Sequence, residues 1–520
     1  MAILLLTIIF TIILLTKPLL KYLNLTKYPP LNPLSNLTTL SYLYEHRHPF
    51  RTQRLYNQHL HHKSNNQRII RLSPTALSIA DPQAIPAIYG HGTPCLKDDV
   101  YARTKGSHTH FNMLNTISRD DHSRKRRMLA HALSTKNLEQ WEGKIVDKVE
   151  RLVRQLDGRC ALSTSSPEGE MVGDGVEEVD LRFWLNLFTI DAIADIGLSI
   201  KLGLLDKGSD EVVVDGGEVV RYIECLHRGN RVSSWVIGAD GWVGVLRGVS
   251  GLVSPYLRRQ WECGRMFGRV VKRLVEKRVR VYEESGEKVS DFLGCLMEDK
   301  GGVERGLDRG EIEAEAGLLL DAGSDTTAIA LTNVMYYLIK NPQTLEKLRE
   351  EVSSALLDNE VAPYAKVRNL PYLKACLEES LRLSPPVSRG LERKTPPEGM
   401  YILGGRIPGN TTISVPTYAV HRDPDIFPDP EAFRPERWLE DEEQVKQMRA
   451  VFIPFSSGAR ACIGRNITFI EQQILVATLV HRYEFALPSK DWMLEWEEAF
   501  NLWPGRMPVK IWRRENKLIH

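Results

Sequence analysis

The residues with the clearest chemistry lie near the C-terminus, in the decapeptide 455–464, FSSGARACIG. Cys462 stands among glycines with an arginine two residues before it, a setting in which a thiolate can bind a metal beside an anionic group. Gly458 permits a tight turn that exposes the sulfur. A predicted helix from Ile463 to Tyr483 begins next, and its unpaired N–H groups would stabilise the thiolate. This set suits a thiolate that binds the iron of a flat, doubly anionic macrocycle.

The decapeptide resembles the haem-thiolate signature of the cytochrome P450 superfamily, FxxGxRxCxG, at every fixed position. On this interpretation Cys462 is the axial ligand of the iron of haem b (iron protoporphyrin IX). Arg460 pairs with a haem propionate, Phe455 covers the sulfur, Gly458 forms the turn, and Gly464 lets the next helix begin close to the porphyrin. The alternative is a buried structural cysteine beside an ordinary turn, the commonest fate of a free thiol. Three further motifs favour the haem-thiolate interpretation.

The longest helical pattern runs from Asp308 to Lys340 and is stopped by Asn341-Pro342. It is apolar on nearly every face, which predicts a buried helix. A membrane span is the alternative, and Asp321 and Asp325 inside the pattern argue against it.

Within that helix the stretch 322–327, AGSDTT, resembles the oxygen-activation sequence of the superfamily. The resemblance implies that Asp325 links the pocket to a proton source and that Thr326 hydrogen-bonds the distal oxygen atom during catalysis. A glycine followed by threonines can also loosen the helical hydrogen bonds and make room for water. The alternative is an ordinary helix with a satisfied buried acid.

Glu379 and Arg382 lie three residues apart on one predicted helix. On a surface such a pair contributes only about 0.2–0.5 kcal/mol and indicates little. The segment 433–438, FRPERW, adds Arg437 at the place where the superfamily has a second arginine. The resemblance implies a buried triad that holds the cysteine loop and takes no direct part in bond making, because a half-paired charge there would be costly.

Two further segments offer cations for the haem carboxylates. The stretch 122–126, HSRKR, resembles the Trp-x-x-x-Arg motif of the superfamily, with His122 in place of tryptophan and Arg126 retained. Arg393 is the next candidate, and Arg389 could exchange places with it. The alternative for each arginine is a solvated surface charge.

Composition excludes several other classes of protein. The chain has 520 residues, 42% of them apolar, and a net charge of +2, which describes one large globular body with no nucleic acid or other polyanionic partner. Its seven cysteines are scattered without a CxxC pair, so neither a disulfide framework nor a zinc site is indicated. This cysteine usage fits a reducing, cytosol-facing compartment.

The predicted organisation is a membrane anchor over residues 1–23, a linker over 24–40 and a catalytic domain over 41–520. The apolar run 2–16 is followed by Lys17, Lys21 and Lys27, which predicts a single-pass anchor in the endoplasmic reticulum with the catalytic domain facing the cytosol. A cleaved signal peptide is the alternative. It is disfavoured because no basic residue precedes the run and no A-x-A-like site follows it.

The predicted fold class is mainly α, namely a cytochrome P450 fold with a large helical domain and a small β-rich N-terminal part. Strand-like runs are confined to Arg68–Ile79 and parts of Thr395–Val415. Residues 163–180 and 206–217 are predicted surface insertions. The glycine-rich segment 238–251 falls, by the resemblance, in a mobile lid over the substrate channel.

The predicted function is a membrane-anchored monooxygenase that uses O2 to hydroxylate or epoxidise a lipophilic small molecule. No segment resembles a flavin or nicotinamide domain, so the expected electron donor is a separate NADPH-cytochrome P450 reductase, with cytochrome b5 as a further candidate. The segments 88–92 and 498–505 look like fungal benzoate 4-monooxygenase-like members, which commonly tailor secondary metabolites. The alternatives are a benzoate-type catabolic hydroxylase, a haem-thiolate isomerase or dehydratase, and a non-catalytic haem-binding membrane protein.

Overall fold

The computed structural model describes residues 25–36, 41, 45, 48–104, 110–133, 135–162, 178–237, 243–285, 291–299, 301–356 and 361–514. The predicted anchor lies outside these residues, as do 163–177 of the first predicted insertion and 238–242 of the glycine-rich segment. Among the described residues, no helix combines the length and the apolar character needed to cross a membrane.

Helices form most of the described chain, as the sequence predicts. In chain order they are α1 (Arg51–Lys63), α2 (Ala84–Tyr89), α3 (Val100–Arg103), α4 (Arg119–Ala132), α5 (Thr135–Asp157), α6 (Leu181–Leu198), α7 (Leu204–Lys207), α8 (Tyr222–Ile237), α9 (Val243–Val253), α10 (Pro255–Ser285), α11 (Phe292–Met297), α12 (Arg309–Lys340), α13 (Pro342–Ala355), α14 (Tyr364–Val367), α15 (Pro371–Leu383), α16 (Thr417–Val420), α17 (Glu442–Val451) and α18 (Arg465–Arg482). Short 3-10 helices cover Pro33–Asn36, Asp215–Gly217, Pro435–Trp438 and Gly458–Arg460.

The strands are short. They are β1 (Ile69–Ser73), β2 (Ala76–Ile79), β3 (Leu96–Lys97), β4 (Ala161–Leu162), β5 (Val179–Asp180), β6 (Glu211–Val213), β7 (Val219–Arg221), β8 (Arg393–Lys394), β9 (Met400–Ile402), β10 (Gly405–Ile407), β11 (Thr412–Ser414), β12 (Tyr483–Ala486), β13 (Trp496–Glu498), β14 (Leu502–Pro504) and β15 (Pro508–Arg513). The largest sheet has the order β1-β2-β11-β8-β3 and joins both strand regions predicted from the sequence.

The prediction that strands are confined to those two regions is wrong. Near the C-terminus β12 pairs with β15, with Tyr483 opposite Arg513, and β13 pairs with β14. β15 also pairs with β4 and β5, whose residues lie more than 300 positions earlier in the chain. Such short strands are stabilised by partners remote in sequence rather than by their own pattern, which is why the sequence did not reveal them.

The long helix α12 crosses the middle of the body, as predicted. Asp308 caps its first turn by accepting a hydrogen bond from Gly310 N at 2.7 Å, and Pro342 begins the next helix. α12 packs closely on α6 at Gly323, where an added Cβ would lie 2.8 Å from the Ile193 side chain. This close approach holds the AGSDTT stretch in the interior.

The described part of the predicted linker packs onto the catalytic body. Leu25 is fully buried, and Leu31 N donates to Arg71 O of β1 at 2.9 Å. Of the glycine-rich segment, residues 243–253 form α9, which has no buried residue.

Candidate active site

The cysteine loop runs from the end of α17 to the start of α18. Cys462 N donates to Phe455 O at 2.8 Å, and Ala461 N donates to Gly458 O at 3.1 Å, so the loop is closed by its own backbone. Gly458 has φ of +68° and an added Cβ there would lie 1.9 Å from Tyr89 O at the end of α2. Only glycine fits this position, because both the left-handed backbone and the contact exclude a side chain.

The Cys462 side chain is accessible although the residue lies deep in the protein, so its sulfur opens on interior space. Burial raises the pKa of the Cys462 thiol. The backbone N–H groups of Gly464 and Arg465 and the charge of Arg126 act in the opposite direction and favour the thiolate. The sulfur is therefore prepared to become an anion once a cation binds it. Nearby, the Phe455 ring packs on Phe469 with centroids 5.5 Å apart.

The AGSDTT stretch exposes part of α12 to interior space as well. Ala322 is exposed and Thr326 is partly exposed, whereas Ser324, Asp325 and Thr327 of the same stretch are buried. Thr326 Oγ1 donates to Ala322 O at 2.7 Å, and Thr327 Oγ1 donates to Thr468 Oγ1 of α18 at 2.9 Å. The hydrogen bond between the two helices places this accessible surface near the helix that begins beside the cysteine.

Asp325 is buried and fully hydrogen-bonded. It accepts from His227 Nε2 at 2.8 Å, from Asn501 Nδ2 at 2.7 Å and from Trp503 Nε1 at 2.7 Å. Burial opposes its charged form, but the charge of His227 and these hydrogen bonds outweigh burial and hold the pKa of Asp325 below its ordinary value. The sequence offered no signal for these three partners, which come from α8 and the β13–β14 region.

The predicted haem-binding residues His122, Arg126, Arg393 and Arg460 come together with Lys97, which the sequence did not single out. Burial, followed by the charges of Arg460 and Lys97, lowers the pKa of His122 to about 3. Burial, followed by the charges of Arg393 and Arg460, lowers the pKa of Lys97 well below its ordinary value. Lys97 stands directly opposite Arg393 where β3 pairs with β8, an arrangement that is destabilising without an anion.

The hydrogen bonds of these cations go to backbone carbonyl groups. Arg126 Nη1 donates to Ala461 O at 2.7 Å, and Arg460 Nη1 donates to Thr116 O at 2.5 Å. Arg393 Nη1 donates to Glu392 O at 2.9 Å, whereas Arg389 forms an ion pair with the Glu392 carboxylate. The structure thus places Arg393 in the cation cluster and pairs Arg389 elsewhere.

Among the described residues, none of Lys97, Arg126, Arg393 and Arg460 has a carboxylate within ion-pair distance. Buried cations without an anion are costly, so this cluster requires a negatively charged ligand. A macrocycle with two carboxylates supplies that charge beside a thiol that needs a metal cation. The donor set therefore fits haem, with Cys462 as the iron ligand and the cations as partners of the carboxylates.

The predicted triad is present and completely buried. Glu379 Oε1 accepts from Arg382 Nη2 and from Arg437 Nε, both at 2.9 Å, and all three side chains have no exposed surface. Glu379 also accepts from Trp438 Nε1 at 3.0 Å. The remaining arginine donors reach backbone carbonyl groups, among them Arg382 Nη1 to Pro430 O at 2.7 Å. Every charge is paired, which is the condition for such a triad to be stable.

His421 connects the triad to the cysteine loop and was not identified from the sequence. Its Nδ1 lies 3.3 Å from Arg382 O, and its Nε2 accepts from Ile453 N at 2.8 Å. Burial, followed by the charge of Arg382, lowers the pKa of His421 to about 3, so the ring stays neutral and keeps an acceptor nitrogen. Ile453 O in turn accepts from Ser456 N at 2.9 Å at the start of the loop.

The structure combines an interior but accessible thiol, a cation cluster that requires an anion and a buried triad behind the cysteine loop. Together these features define a haem-thiolate protein. The chain belongs to the cytochrome P450 family, whose sequence model matches residues 33–505. Benzoate 4-monooxygenase bphA of Aspergillus niger is 31% identical over 86% of this chain and 86% of its own length. Cytochrome P450 monooxygenase cicH of Emericella nidulans is 31% identical over 85% and 86%.

The fold is also similar to that in the crystal structure of the cytochrome P450DA heme domain. The two share a TM-score of 0.74 and 17% identity over 94% of this chain and 97% of that one. The family and the named relatives together make this protein a cytochrome P450 monooxygenase.

A surface cleft elsewhere is not the site. It has a volume of about 710 Å³ and lies at the surface between α10 and the start of α12, where Arg265, Arg269 and Glu313 line it. Arg269 is paired with Glu218 at 2.8 Å, and the cleft includes no residue of the cysteine loop.

Replacing Glu379 by alanine should leave Arg382 and Arg437 as unpaired buried charges. The expected loss is about 3–5 kcal/mol of a typical stability of about 5–15 kcal/mol, so little haem-loaded protein should form. Haem incorporation and the thermal unfolding midpoint measure the effect. Glu378→Ala is a matched control, because its partner Arg449 is partly exposed and water can solvate it. Equal behaviour of the two variants would contradict the positioning role.

Proposed function

We propose that this monooxygenase is anchored in the endoplasmic reticulum membrane and oxidises a lipophilic small molecule, as a tailoring step in fungal secondary metabolism. The observation that carries the haem-thiolate chemistry is the accessible Cys462 sulfur beside cations that have no carboxylate within ion-pair distance in the described part of the chain. The relatives include several fungal monooxygenases, among them cicH of Emericella nidulans and astJ of Aspergillus oryzae.

In this proposal Cys462 holds haem b, while Lys97, Arg126, Arg393 and Arg460 hold its carboxylates and the neutral His122 offers an N–H donor. When bound, the iron and its thiolate ligand supply the oxygen-activating redox chemistry. The Thr326 hydroxyl lies on the accessible face of α12 and gives a hydrogen-bonding group to the oxygen side of the cavity. Asp325, on the neighbouring helix face, is held in place by hydrogen bonds from His227, Asn501 and Trp503.

The electrons come from a separate flavoprotein in this proposal, namely NADPH-cytochrome P450 reductase, with cytochrome b5 as a second donor. The family match spans residues 33–505 and accounts for nearly all the described chain.

Cys462→Ser should abolish the thiolate-specific band of the reduced, CO-treated spectrum and substrate-stimulated NADPH consumption, because a hydroxyl is a poor anionic donor at neutral pH. Cys160→Ser is the matched control, since its thiol lies outside the site and donates to Asp157 O at 3.4 Å, a bond that serine can keep. Full activity and an unchanged spectrum in Cys462→Ser would refute the proposed chemistry.

Thr326→Ala should leave haem binding intact and lower the product formed per NADPH, with the balance released as hydrogen peroxide. The reason is that the oxygen side of the cavity loses its hydroxyl group. Thr326→Ser keeps that hydroxyl and should preserve the ratio. A ratio unchanged in the alanine variant would assign proton transfer to other groups, such as Thr327 or Ser324.

A second candidate substrate class is an aromatic acid. It is favoured by the likeness to benzoate 4-monooxygenase of Aspergillus niger, at 31% identity. A high-spin shift of the haem spectrum with benzoate, and none with neutral lipophilic intermediates of comparable size, would favour this candidate over secondary metabolism.

Two features support membrane attachment. The apolar run 2–16 precedes three lysines, Lys17, Lys21 and Lys27. On α9 the exposed apolar side chains share one face, with Leu252 77% and Val253 73% exposed. An apolar helix face of this kind lies at a lipid surface at low cost.

Asn24 and Asn36 lie in N-glycosylation sequons just after the predicted anchor. Both should remain without sugar in a eukaryotic host, since glycosylation occurs in the lumen and the lysines hold this flank in the cytosol. A form with a cleavable signal peptide before residue 25 serves as the control, because it enters the lumen and should be glycosylated at Asn36. Sugar on Asn36 of the native chain would contradict the proposed orientation.

Deleting residues 2–16 should weaken membrane attachment and keep the haem spectrum.

A further inference from the structure

Two aspartates lie one helical turn apart on α12 and face α8. The sequence resemblance points to Asp325 as the proton-linked acid. That carboxylate, however, already accepts three hydrogen bonds, from His227, Asn501 and Trp503, and it is buried. A carboxylate with three donors and an adjacent cation has little tendency to take up a proton.

Asp321 is in the opposite situation. Its Oδ1 accepts from Asn230 Nδ2 at 3.1 Å, and among the described residues its Oδ2 has no partner. The residue lies deep in the protein and is nevertheless partly accessible, so its free oxygen opens on interior space. Burial, followed by the charge of Asp325, raises the pKa of Asp321 to about 7, and the hydrogen bond from Asn230 only partly opposes this.

Two groups around the pair, Tyr222 and Arg182, keep one charge state near neutral pH. From α8, Tyr222 faces it, and burial followed by the charge of Asp321 raises the pKa of that phenol, so it stays protonated. His227 is bonded to Asp325 rather than to Asp321. From α6, Arg182 acts on Asp325, and it remains a cation.

We propose that Asp321 is the carboxyl group that exchanges protons between interior water and the oxygen side of the active site, while Asp325 is a positioning residue that holds α8 and the C-terminal β13–β14 hairpin against α12. The proton moves onto Asp321 Oδ2 from interior water and leaves from the same oxygen, with no change in oxidation state. The catalytic part of this proposal rests on the proposed monooxygenase function.

The two carboxyl groups have opposite effects on stability as pH changes. Because the pKa of Asp321 is raised in the folded protein, its protonated carboxyl group contributes to folding stability fully below about pH 4. That contribution is lost as pH rises through about 7. Asp325 has a lowered pKa, so its contribution is present above its ordinary value of 3.8 and is lost as pH falls below it. Asp321→Asn should therefore raise the thermal midpoint more at pH 8 than at pH 5, and Asp325→Asn should lower it at both.

Infrared difference spectroscopy of the haem-loaded protein tests the protonation directly. Between pH 6 and pH 8 the wild type should lose a protonated-carboxyl C=O band that Asp321→Asn lacks. In Asp325→Asn this band should be lost at lower pH, because the negative charge next to Asp321 is gone. Glu471 of α18, whose pKa burial raises to about 8, should contribute a second band that both variants keep.

Kinetics with the reductase tests the catalytic role. At pH 7 product formation should fall about 100-fold in Asp321→Asn, and the decline in rate above about pH 7 should disappear. Glu313→Gln on the same helix is the matched control, since that carboxylate pairs with Arg309 at the surface and should leave rate and pH profile unchanged.

Three results would overturn the proposal. One is an Asp321 band that persists in Asp321→Asn. Another is an unchanged rate and pH profile in that variant. The third is an Asp325→Asn variant that has normal stability but whose rate no longer declines above about pH 7. If the wild type shows no thiolate-specific spectrum and no turnover, the proposed function fails instead, and the infrared result still decides whether Asp321 titrates.

Discussion

The site depends on one buried carboxylate, Glu379, which forms ion pairs with two guanidinium groups in the interior. Arg382 and Arg437 use their other donors to bind the carbonyl groups of the chain that follows α16, so this irregular segment is fixed without regular secondary structure. His421 then transmits the arrangement to Ile453 and the cysteine loop. Loss of the carboxylate would leave two buried cations and would release the support of the metal ligand.

The cation cluster differs from the triad, because it brings like charges together. Burial, followed by the charges of Arg393 and Arg460, lowers the pKa of Lys97 well below its ordinary value, and Lys97 stands opposite Arg393 in a two-strand pairing. A folded chain tolerates such repulsion where a ligand removes it. The cation cluster and the raised thiol pKa of Cys462 are thus two parts of one requirement, which a metal macrocycle with two carboxylates meets.

On α12 two chemically identical side chains, Asp321 and Asp325, have different roles. Asp325 receives three donors and stays charged, and its charge raises the proton affinity of Asp321 one turn away. The pair divides into an anchor and a proton carrier because hydrogen-bond donors surround Asp325, whereas burial and then the charge of Asp325 favour the protonated form of Asp321.

The motifs around Cys462, Asp325 and Glu379, and the limits of α12, could be predicted from sequence because each depends on residue types at short spacing. The family and the class of chemistry follow from them. Lys97, His421 and the partners of Asp325 could not, because they join the site from β3, from the segment after α16 and from the C-terminal hairpin. The same holds for β12 to β15. Short strands and single polar residues carry almost no local signal, and only packing of distant segments decides which of them are buried together and how their protons are held.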